Sequence, residues 1–252
     1  MDQYLKHLNR IEFTVTMACT GACRHCSEGD HAGFSDHIDP AVAAEAVRKI
    51  CARYRIRSLM TFGGEPLLYP ETVFAIHRTA AELGIEKRQV ITNGYFTKDR
   101  GRMEAVARGL AESGVNDLLL SADAFHQETI PLEPVLLFAE YAQKAGVPVR
   151  LSPAWLVSPE ARNPCNDRTR EILARFAPLG VPVGEGNVVF PVGNARKYLA
   201  EYFGPDPAPA SPYDEDPADL HTISFSPNGD VLNGNVYETD ILELLRTYRP
   251  ES

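Results

Sequence analysis

The chain has 252 residues, of which 44% are hydrophobic and 23% are charged, a balance typical of a soluble globular protein with an ample core. Its 34 Asp and Glu residues outnumber its 25 Lys and Arg residues and give a formal net charge of −9. Nucleic acids and anionic membranes bind concentrated basic surfaces, so this balance argues against either as the main partner. No run approaches the ~18 apolar residues of a membrane span, and the N-terminus lacks the apolar core of a secretory signal. We therefore expect a cytoplasmic protein.

Predicted strands and helices alternate along the first 190 residues. The strands cover residues 11–16, 58–62, 88–92, 116–121, 147–152 and part of 181–190, and the helices cover 39–54, 70–83, 99–113, 134–144 and 167–176. Such alternation is typical of parallel βαβ units with right-handed crossovers. Six units are too few for a closed eight-stranded barrel. The predicted fold class is therefore α/β, as an open partial (β/α)6 barrel or a doubly wound sheet, with ligands bound at the carboxyl ends of the strands.

The composition changes after residue 203. Residues 204–219 are rich in Pro, Ala and acidic side chains, which is typical of a linker or a flap. Residues 221–225 and 230–232 flank an Asn-Gly turn and predict a β-hairpin, and a last helix is predicted near 239–248. We therefore divide the chain into a barrel at residues 1–203, the acidic linker or flap at 204–219 and a small C-terminal cap at 220–252.

Three of the five cysteines fall within eight residues, on the loop after the first predicted strand; they are Cys19, Cys23 and Cys26. Thiols at this spacing indicate a metal site. A structural zinc ion normally takes four nitrogen or sulfur ligands, and the fourth could come from one of three nearby histidines, His25, His31 or His37. Alternatively, the three cysteines hold a four-iron cluster with one iron left open to bind a ligand, whereas electron-transfer clusters normally use four cysteines.

The spacing Cys-x3-Cys-x2-Cys after a first strand resembles the radical S-adenosylmethionine (radical SAM) superfamily, and the resemblance extends over residues 11 to 195. The segment Gly63-Gly64-Glu65-Pro66, at the end of the second predicted strand, is similar to the GGE motif of that family. Glycines allow close approach of the backbone, and a glutamate can accept a charge-assisted hydrogen bond. The resemblance implies that the three cysteines hold a 4Fe-4S cluster, and that these four residues bind the ammonium group of S-adenosylmethionine.

The resemblance also implies a reaction. An external electron donor such as flavodoxin or ferredoxin reduces the cluster, and the electron cleaves S-adenosylmethionine to methionine and a 5′-deoxyadenosyl radical. That radical abstracts hydrogen from the substrate. The position before the last cysteine is usually aromatic in the family and packs near the adenine; here it is His25.

Weaker matches follow the later strands. The resemblance places Asn93, Ser121, Asp123 and Val188 at the cofactor. The alternatives are an ordinary Asn-Gly turn for Asn93 and a helix cap for Ser121 and Asp123. We also predict that Asp123 and His126 are catalytic, because they follow the fourth strand and an imidazole there could position the substrate or relay a proton. The alternative is a helix N-terminus with acidic residues favoured by the dipole and His126 on the surface.

Residues 190–195 and 226–238 resemble a shortened SPASM or twitch extension, which in related enzymes binds auxiliary iron–sulfur clusters. No cysteine follows Cys165, so no auxiliary cluster is implied here. The expected substrate is accordingly a peptide or a small molecule. Two alternatives remain open: an activase that installs a glycyl radical on a partner enzyme, and a non-enzymatic zinc or iron–sulfur redox protein.

Overall fold

A computed structural model of the protein describes residues 3–30, 33–204 and 214–250. His31 and residues 205–213 of the predicted linker lie outside these ranges. The first half of the chain contains β1 (Arg10–Thr16), α1 (Pro40–Cys51), β2 (Ser58–Gly63), α2 (Pro70–Glu82), β3 (Lys87–Thr92), α3 (Arg100–Glu112) and β4 (Asp117–Leu120). The second half contains α4 (Leu132–Lys144), β5 (Val149–Leu151), β6 (Ala154–Trp155), α5 (Pro164–Ala174), β7 (Asn187–Val188), α6 (Gly193–Tyr198), β8 (Thr222–Phe225), β9 (Asp230–Val231), β10 (Gly234–Asn235) and α7 (Ile241–Thr247).

Four helices in the described ranges, α1, α3, α5 and α7, begin at a residue whose side chain caps them. Asp39 accepts hydrogen bonds from the backbone N–H groups of Ala41 and Val42, and Pro40 occupies the first turn of α1. Asp99 caps α3 in the same way through the N–H of Arg102. These contacts confirm the predicted start of α1 and fix where the chain leaves the preceding loops.

The central element is an open sheet of six parallel strands in the order β5-β4-β3-β2-β1-β8. Strands β1 to β5 lie side by side in chain order, as in a barrel, rather than diverging from a central switch point. This arrangement confirms the predicted α/β class with a partial barrel. Because all six strands run in one direction, the loops that follow β1, β2, β3 and β4 meet at one edge of the sheet.

The predicted sixth strand within residues 181–190 is present only as short pieces, since Val183 makes a single parallel bridge to Leu151 of β5 and β7 covers Asn187–Val188. In that segment β7 pairs with β6 in a separate two-stranded sheet, and Pro182 and two glycines interrupt the remainder of the run. The sixth strand of the main sheet is β8, which pairs in parallel with β1. Its apolar side chains account for this pairing, because Phe225 stacks on Phe13 with ring centroids 4.5 Å apart.

The predicted hairpin is also displaced. Residues 226–229 form a turn that connects β8 to β9, in which the Gly229 N–H donates to the Ser226 carbonyl over 3.0 Å. The antiparallel pair is β9 with β10, joined by Leu232 and Asn233. Helix α7 follows and packs against α1. None of the helices in the described ranges combines the length and the hydropathy of a membrane span.

Candidate active site

The loop of residues 17–30 carries the three clustered cysteines and is held against the end of β2. The Gly64 N–H donates to the Thr16 carbonyl and the Glu65 N–H donates to the Ala18 carbonyl, each over 2.8 Å. A Cβ atom on Gly64 would lie 2.2 Å from the Ala18 oxygen, a distance that no side chain can occupy. Gly63 is equally close to Thr16. The two glycines of the motif therefore let β2 dock directly on the cysteine loop.

The three thiols lie on this loop in a partly buried setting. The Cys26 N–H donates to the Cys23 carbonyl over 3.2 Å, and the Asn93 side-chain amide lies 3.7 Å from the Cys19 sulfur. Burial raises the pKa of Cys19 to about 11 and raises the pKa of both other thiols. Without a metal the thiols are therefore protonated, and a metal that binds them displaces those protons.

The spacing of the thiols distinguishes between a single ion and a larger cluster. Three sulfurs on one zinc ion lie about 3.8 Å apart, as bonds of about 2.3 Å at tetrahedral angles require. Within the described ranges, the sulfur atoms of the three cysteines do not all lie within 4.8 Å of one another, and no other set of three ligand atoms at that spacing includes a cysteine. The rings of His25 and His37 stack on Phe125 and Tyr69, and neither histidine joins a group of three ligand atoms that includes a cysteine. Three soft thiols in a wider arrangement, joined by no histidine among the described residues, fit an iron–sulfur cluster better than zinc.

A segment beyond the main sheet holds the same loop from its other side. The Asn194 side-chain amide donates to the carbonyls of Cys23 and Gly29 over 3.1 and 3.2 Å, and its backbone N–H donates to the Cys26 carbonyl over 2.9 Å. Gly193 makes this approach possible, because it has φ +51° and a Cβ there would lie 2.3 Å from the Ser27 oxygen. In all three hydrogen bonds Asn194 holds the loop through backbone carbonyls of the loop.

The turn after β4 makes a third attachment to the loop. The Arg24 guanidinium forms a bidentate pair with the Glu128 carboxylate, with N–O distances of 2.8 and 2.5 Å. The Ala22 N–H donates to the Thr129 hydroxyl over 3.1 Å. The cysteine loop is therefore fixed by β2, by α6 and by the turn after β4.

Glu65 is fully buried at the edge where β2 and β3 end. Its Oε1 accepts from the Leu67 N–H and the Thr92 hydroxyl over 2.9 and 2.7 Å, and its Oε2 accepts from the Asn93 N–H over 2.8 Å. A carboxylate offers about four acceptor positions, so one position on Oε2 is left for a further donor. Burial raises the pKa of Glu65 to about 7, although these three hydrogen bonds oppose the shift. A cation beside Glu65 would complete the site.

Asp123 is also fully buried, but its carboxylate has no acceptor position left. Oδ1 accepts from the N–H groups of Phe125 and His126 over 3.0 Å each. Oδ2 accepts from the Ala154 N–H over 3.0 Å and from Nδ1 of the His126 ring over 2.8 Å. The geometry therefore makes Asp123 a positioning residue for the turn and for the His126 ring.

The Asp123–His126 pair has a defined charge distribution. Burial disfavours the charged form of His126, but the adjacent Asp123 carboxylate outweighs burial and raises the pKa of His126. The same contact outweighs burial for Asp123 and holds its pKa well below the usual range. Because an ionised carboxylate only accepts hydrogen bonds, Nδ1 carries the proton and Nε2 is left to accept or to exchange one.

His25 and Gln127 bring further polar atoms to this turn. The His25 ring stacks on Phe125 at 4.9 Å and meets the His126 ring edge-on at 4.8 Å. Burial lowers the pKa of His25 to about 4, so its ring is neutral. Within the described part of the chain, His25 Nδ1 and Gln127 Nε2 are buried atoms without a hydrogen-bond partner. Unpaired buried polar atoms are costly, which is consistent with a site that a ligand completes.

The other predicted site residues lie at the same edge or beyond it. Asn93 is buried and its Oδ1 accepts from the Tyr95 N–H over 2.8 Å, so it also forms the turn that the sequence suggested. Pro66 begins a short 3-10 turn after Glu65, and Ser121 is buried directly after β4. Val188 lies in β7, paired with Trp155 of β6 rather than in the main sheet. Their contact with the cofactor stays a prediction.

Sequence reasoning missed the residues that hold the loop in place. Arg24, Glu128 and Asn194 act across long stretches of chain and carry no local motif. One signal was available, because the segment of residues 190–195 stood out as similar to the extension of related enzymes. Its glycine and asparagine are the two residues that contact the cysteine loop.

Comparisons with known proteins agree with this geometry. The sequence profile of the radical SAM superfamily matches residues 13–193, which is most of the chain. A GTP 3′,8-cyclase of Clostridium perfringens is 23% identical over 216 residues, which cover 77% of this chain and 62% of the cyclase. Streptococcus suis SuiB bound to its precursor peptide SuiA has a similar fold, with a TM-score of 0.63 and 14% identity over 97% of this chain and 68% of SuiB.

A further solved structure, BtrN in complex with AdoMet and 2-DOIA, matches with a TM-score of 0.51 and 16% identity, over 97% of this chain and 83% of BtrN. The chain spans only 38% and 62% of the lengths of the first curated relatives that it matches, so their complete activity is not transferred to it. The match to the superfamily profile confirms the resemblance found in the sequence. The chain belongs to the radical SAM superfamily of enzymes, whose cofactors are a 4Fe-4S cluster and S-adenosylmethionine.

Proposed function

We propose that Cys19, Cys23 and Cys26 hold the cluster, that Glu65 binds the ammonium group of S-adenosylmethionine, and that the enzyme abstracts hydrogen from a peptide or a small molecule. One observation carries this proposal. The three thiols and a buried carboxylate with one free acceptor position lie on backbone segments that are hydrogen-bonded to each other. With both cofactors bound, the family chemistry is reductive cleavage of S-adenosylmethionine to a carbon radical.

The residues of the chain then have distinct tasks. Glu65 orients the cofactor through a charge-assisted hydrogen bond, and Asn93 supports Cys19 from the end of β3. His126, held by Asp123, offers Nε2 to a substrate group or to a proton that leaves the substrate. His25 offers its unpaired Nδ1 where the family usually has an aromatic side chain. An external donor such as flavodoxin or ferredoxin would supply the electron.

The substrate is the less defined part of the proposal. The fold is shared with an enzyme bound to a precursor peptide and with one bound to a small molecule. The carboxylates of Glu65, Asp123 and Glu128 gather near the cysteine loop, and the Arg24 guanidinium there is already engaged by Glu128. His126 is likewise paired with Asp123, so a strongly anionic substrate group would have to compete with these carboxylates for both cations.

Reconstitution with iron and sulfide under anaerobic conditions tests the cluster assignment. We expect one 4Fe-4S cluster per chain and a change in the electron paramagnetic resonance spectrum of the reduced cluster when S-adenosylmethionine is added. Cys23→Ala should lose the cluster. Cys51→Ala, at the end of α1 and outside the site, is the matched control and should keep it. Iron binding that is equal in all three proteins would refute the assignment.

A second candidate is a nucleotide substrate such as GTP, which the names of the curated relatives favour. A triphosphate needs cationic partners, whereas Arg24 and His126 are already paired with Glu128 and Asp123. Equilibrium dialysis of the reconstituted protein with GTP distinguishes the two candidates. Saturable binding of GTP, together with faster formation of 5′-deoxyadenosine when GTP is present, would favour the nucleotide and contradict our preferred charge argument.

A further inference from the structure

A cluster of three side chains lies at the opposite edge of the sheet from the cysteine loop. It consists of His7, Asp219 and His221, which come from the segments that precede β1 and β8. Strands β1 and β8 are parallel, so their preceding segments meet at the same edge. Strand β1 has seven residues, so the cluster lies about 20 Å from the cysteine loop. It is therefore separate from the site described above.

The ligand atoms of the cluster have the spacing of a metal site. His7 Nδ1 lies 2.7 and 3.0 Å from the two Asp219 carboxylate oxygens, and His221 Nε2 lies 3.5 Å from Oδ2. One such atom from each residue lies within 4.8 Å of both others. Ligands on one zinc ion lie about 3.3 Å apart, because bonds of about 2.0 to 2.1 Å meet at tetrahedral angles. An ion can therefore replace the shared protons with only small movements of the three side chains.

The backbone around the cluster is already fixed. The Leu220 N–H donates to the Tyr4 carbonyl over 2.8 Å, and the His221 carbonyl accepts from the Asn9 N–H over 3.0 Å. Leu220 is buried, whereas the side chains of Asp219 and His221 on either side of it are 41% and 54% exposed. The Asn9 side chain donates to the His7 carbonyl over 2.7 Å and holds that loop in place. Positions that are held in this way lose little entropy when a ligand binds.

Exposure and ligand type define the ion. The side chains of His7, Asp219 and His221 are 62%, 41% and 54% exposed, so an ion can enter and water can complete its coordination. Two imidazoles and one carboxylate favour a borderline divalent cation over Mg²⁺ or Ca²⁺, which prefer oxygen ligands. We propose that His7, Asp219 and His221 form a second metal site, which binds Zn²⁺ or a similar ion and links the N-terminal segment to the start of β8.

Calorimetric titration with zinc tests this site, under anaerobic conditions and on protein that carries its iron–sulfur cluster. We expect one zinc equivalent in the wild-type protein, and about 100-fold weaker binding in His7→Gln and in His221→Gln, because each variant loses a direct ligand. His37→Gln removes an exposed histidine outside the cluster and should bind zinc as the wild type does. Zinc should also raise the melting temperature of the wild type and of His37→Gln, but not that of His7→Gln or His221→Gln.

Cobalt identifies the ligands directly. Co²⁺ on imidazole and carboxylate gives weak visible bands, whereas Co²⁺ on thiolates adds intense charge-transfer absorption in the near ultraviolet. We expect the spectrum of bound Co²⁺ to show the weak visible bands without the thiolate bands. The visible bands should be absent in His221→Gln. The proposal is wrong if zinc does not bind, if His7→Gln and His221→Gln bind it as tightly as the wild type, or if all bound Co²⁺ shows thiolate bands. The first two outcomes would mean that His7, Asp219 and His221 are joined by hydrogen bonds and ion pairs alone and bind no metal. None of these readouts depends on radical chemistry, so a failure of turnover would not affect them.

Discussion

Asn194 offers the sharpest test of how the cysteine loop is held. Asn194→Ala removes the side-chain amide that donates to the carbonyls of Cys23 and Gly29. The backbone hydrogen bond to Cys26 remains, and alanine suits the first turn of α6. The variant therefore changes the clamp on the loop without removing a thiol or disturbing the sheet.

The expected magnitude follows from these two contacts. Each neutral hydrogen bond contributes about 1 kcal/mol net, so the loop should lose about 2 kcal/mol of local stability. That loss corresponds to an open loop population about 30-fold higher than in the wild type. The global melting temperature should change little, because the loop opens as a local unit.

Amide hydrogen exchange at the Cys26 N–H measures this opening, since that group is bonded within the loop. The rate at which a chelator removes iron from the reconstituted protein gives a second measurement. Asn233→Ala is the matched control, because it removes one hydrogen bond, to the Arg249 carbonyl, far from the loop. Exchange and iron loss in Asn194→Ala that stay within about threefold of the wild type would refute the proposed clamp.

Three further predictions concern the candidate active site. Cys23→Ala should abolish cluster binding and all turnover, as iron analysis and product assays would show, and full activity in that variant would refute the ligand assignment. Affinity for S-adenosylmethionine should rise with pH up to about 7 and then level off, because burial raises the pKa of Glu65 to about 7 and only the ionised form accepts from an ammonium group. Below that pH the affinity should fall by about tenfold per unit, as binding curves between pH 5.5 and 8.5 would show. Glu65→Gln should bind more weakly and without this pH dependence. His126→Ala should lose product formation by about 100-fold or more and keep the cluster, and Asp123→Asn should act in the same direction because it reverses the proton positions on the His126 ring. Normal product formation in both would remove them from the mechanism.

The parts of the fold that the sequence predicted are the parts with local signals. Apolar runs followed by capped helices identify β1 to β5 and their crossovers, and the spacing of Cys19, Cys23 and Cys26 is readable without any structure. Glu65 is predicted because Gly63-Gly64-Glu65-Pro66, at a strand end, resembles the GGE motif of the family. Its free acceptor position, in contrast, depends on Thr92 and Asn93, which only the folded chain brings near.

The errors and omissions come from contacts between distant parts of the chain. Strand β8 joins the sheet beside β1, where Phe225 packs on Phe13. No local sequence pattern predicts this contact between distant residues. Residues 226–229 have the turn chemistry of a hairpin, and the Ser226 N–H donates to the Asp230 carbonyl over 2.9 Å, but the antiparallel ladder forms between β9 and β10. The clamp by Asn194 on Cys23 spans 171 residues, so it too is a property of the fold rather than of any motif.

The most direct test of the account is formation of 5′-deoxyadenosine. The protein is reconstituted anaerobically with iron and sulfide, reduced, and supplied with S-adenosylmethionine, and 5′-deoxyadenosine and methionine are quantified together with those from Cys23→Ala. We predict equal amounts of both products from the wild-type protein and none from the variant. A protein that takes up no iron and retains zinc on its thiols, or a Cys23→Ala variant that forms both products as the wild type does, would contradict the account.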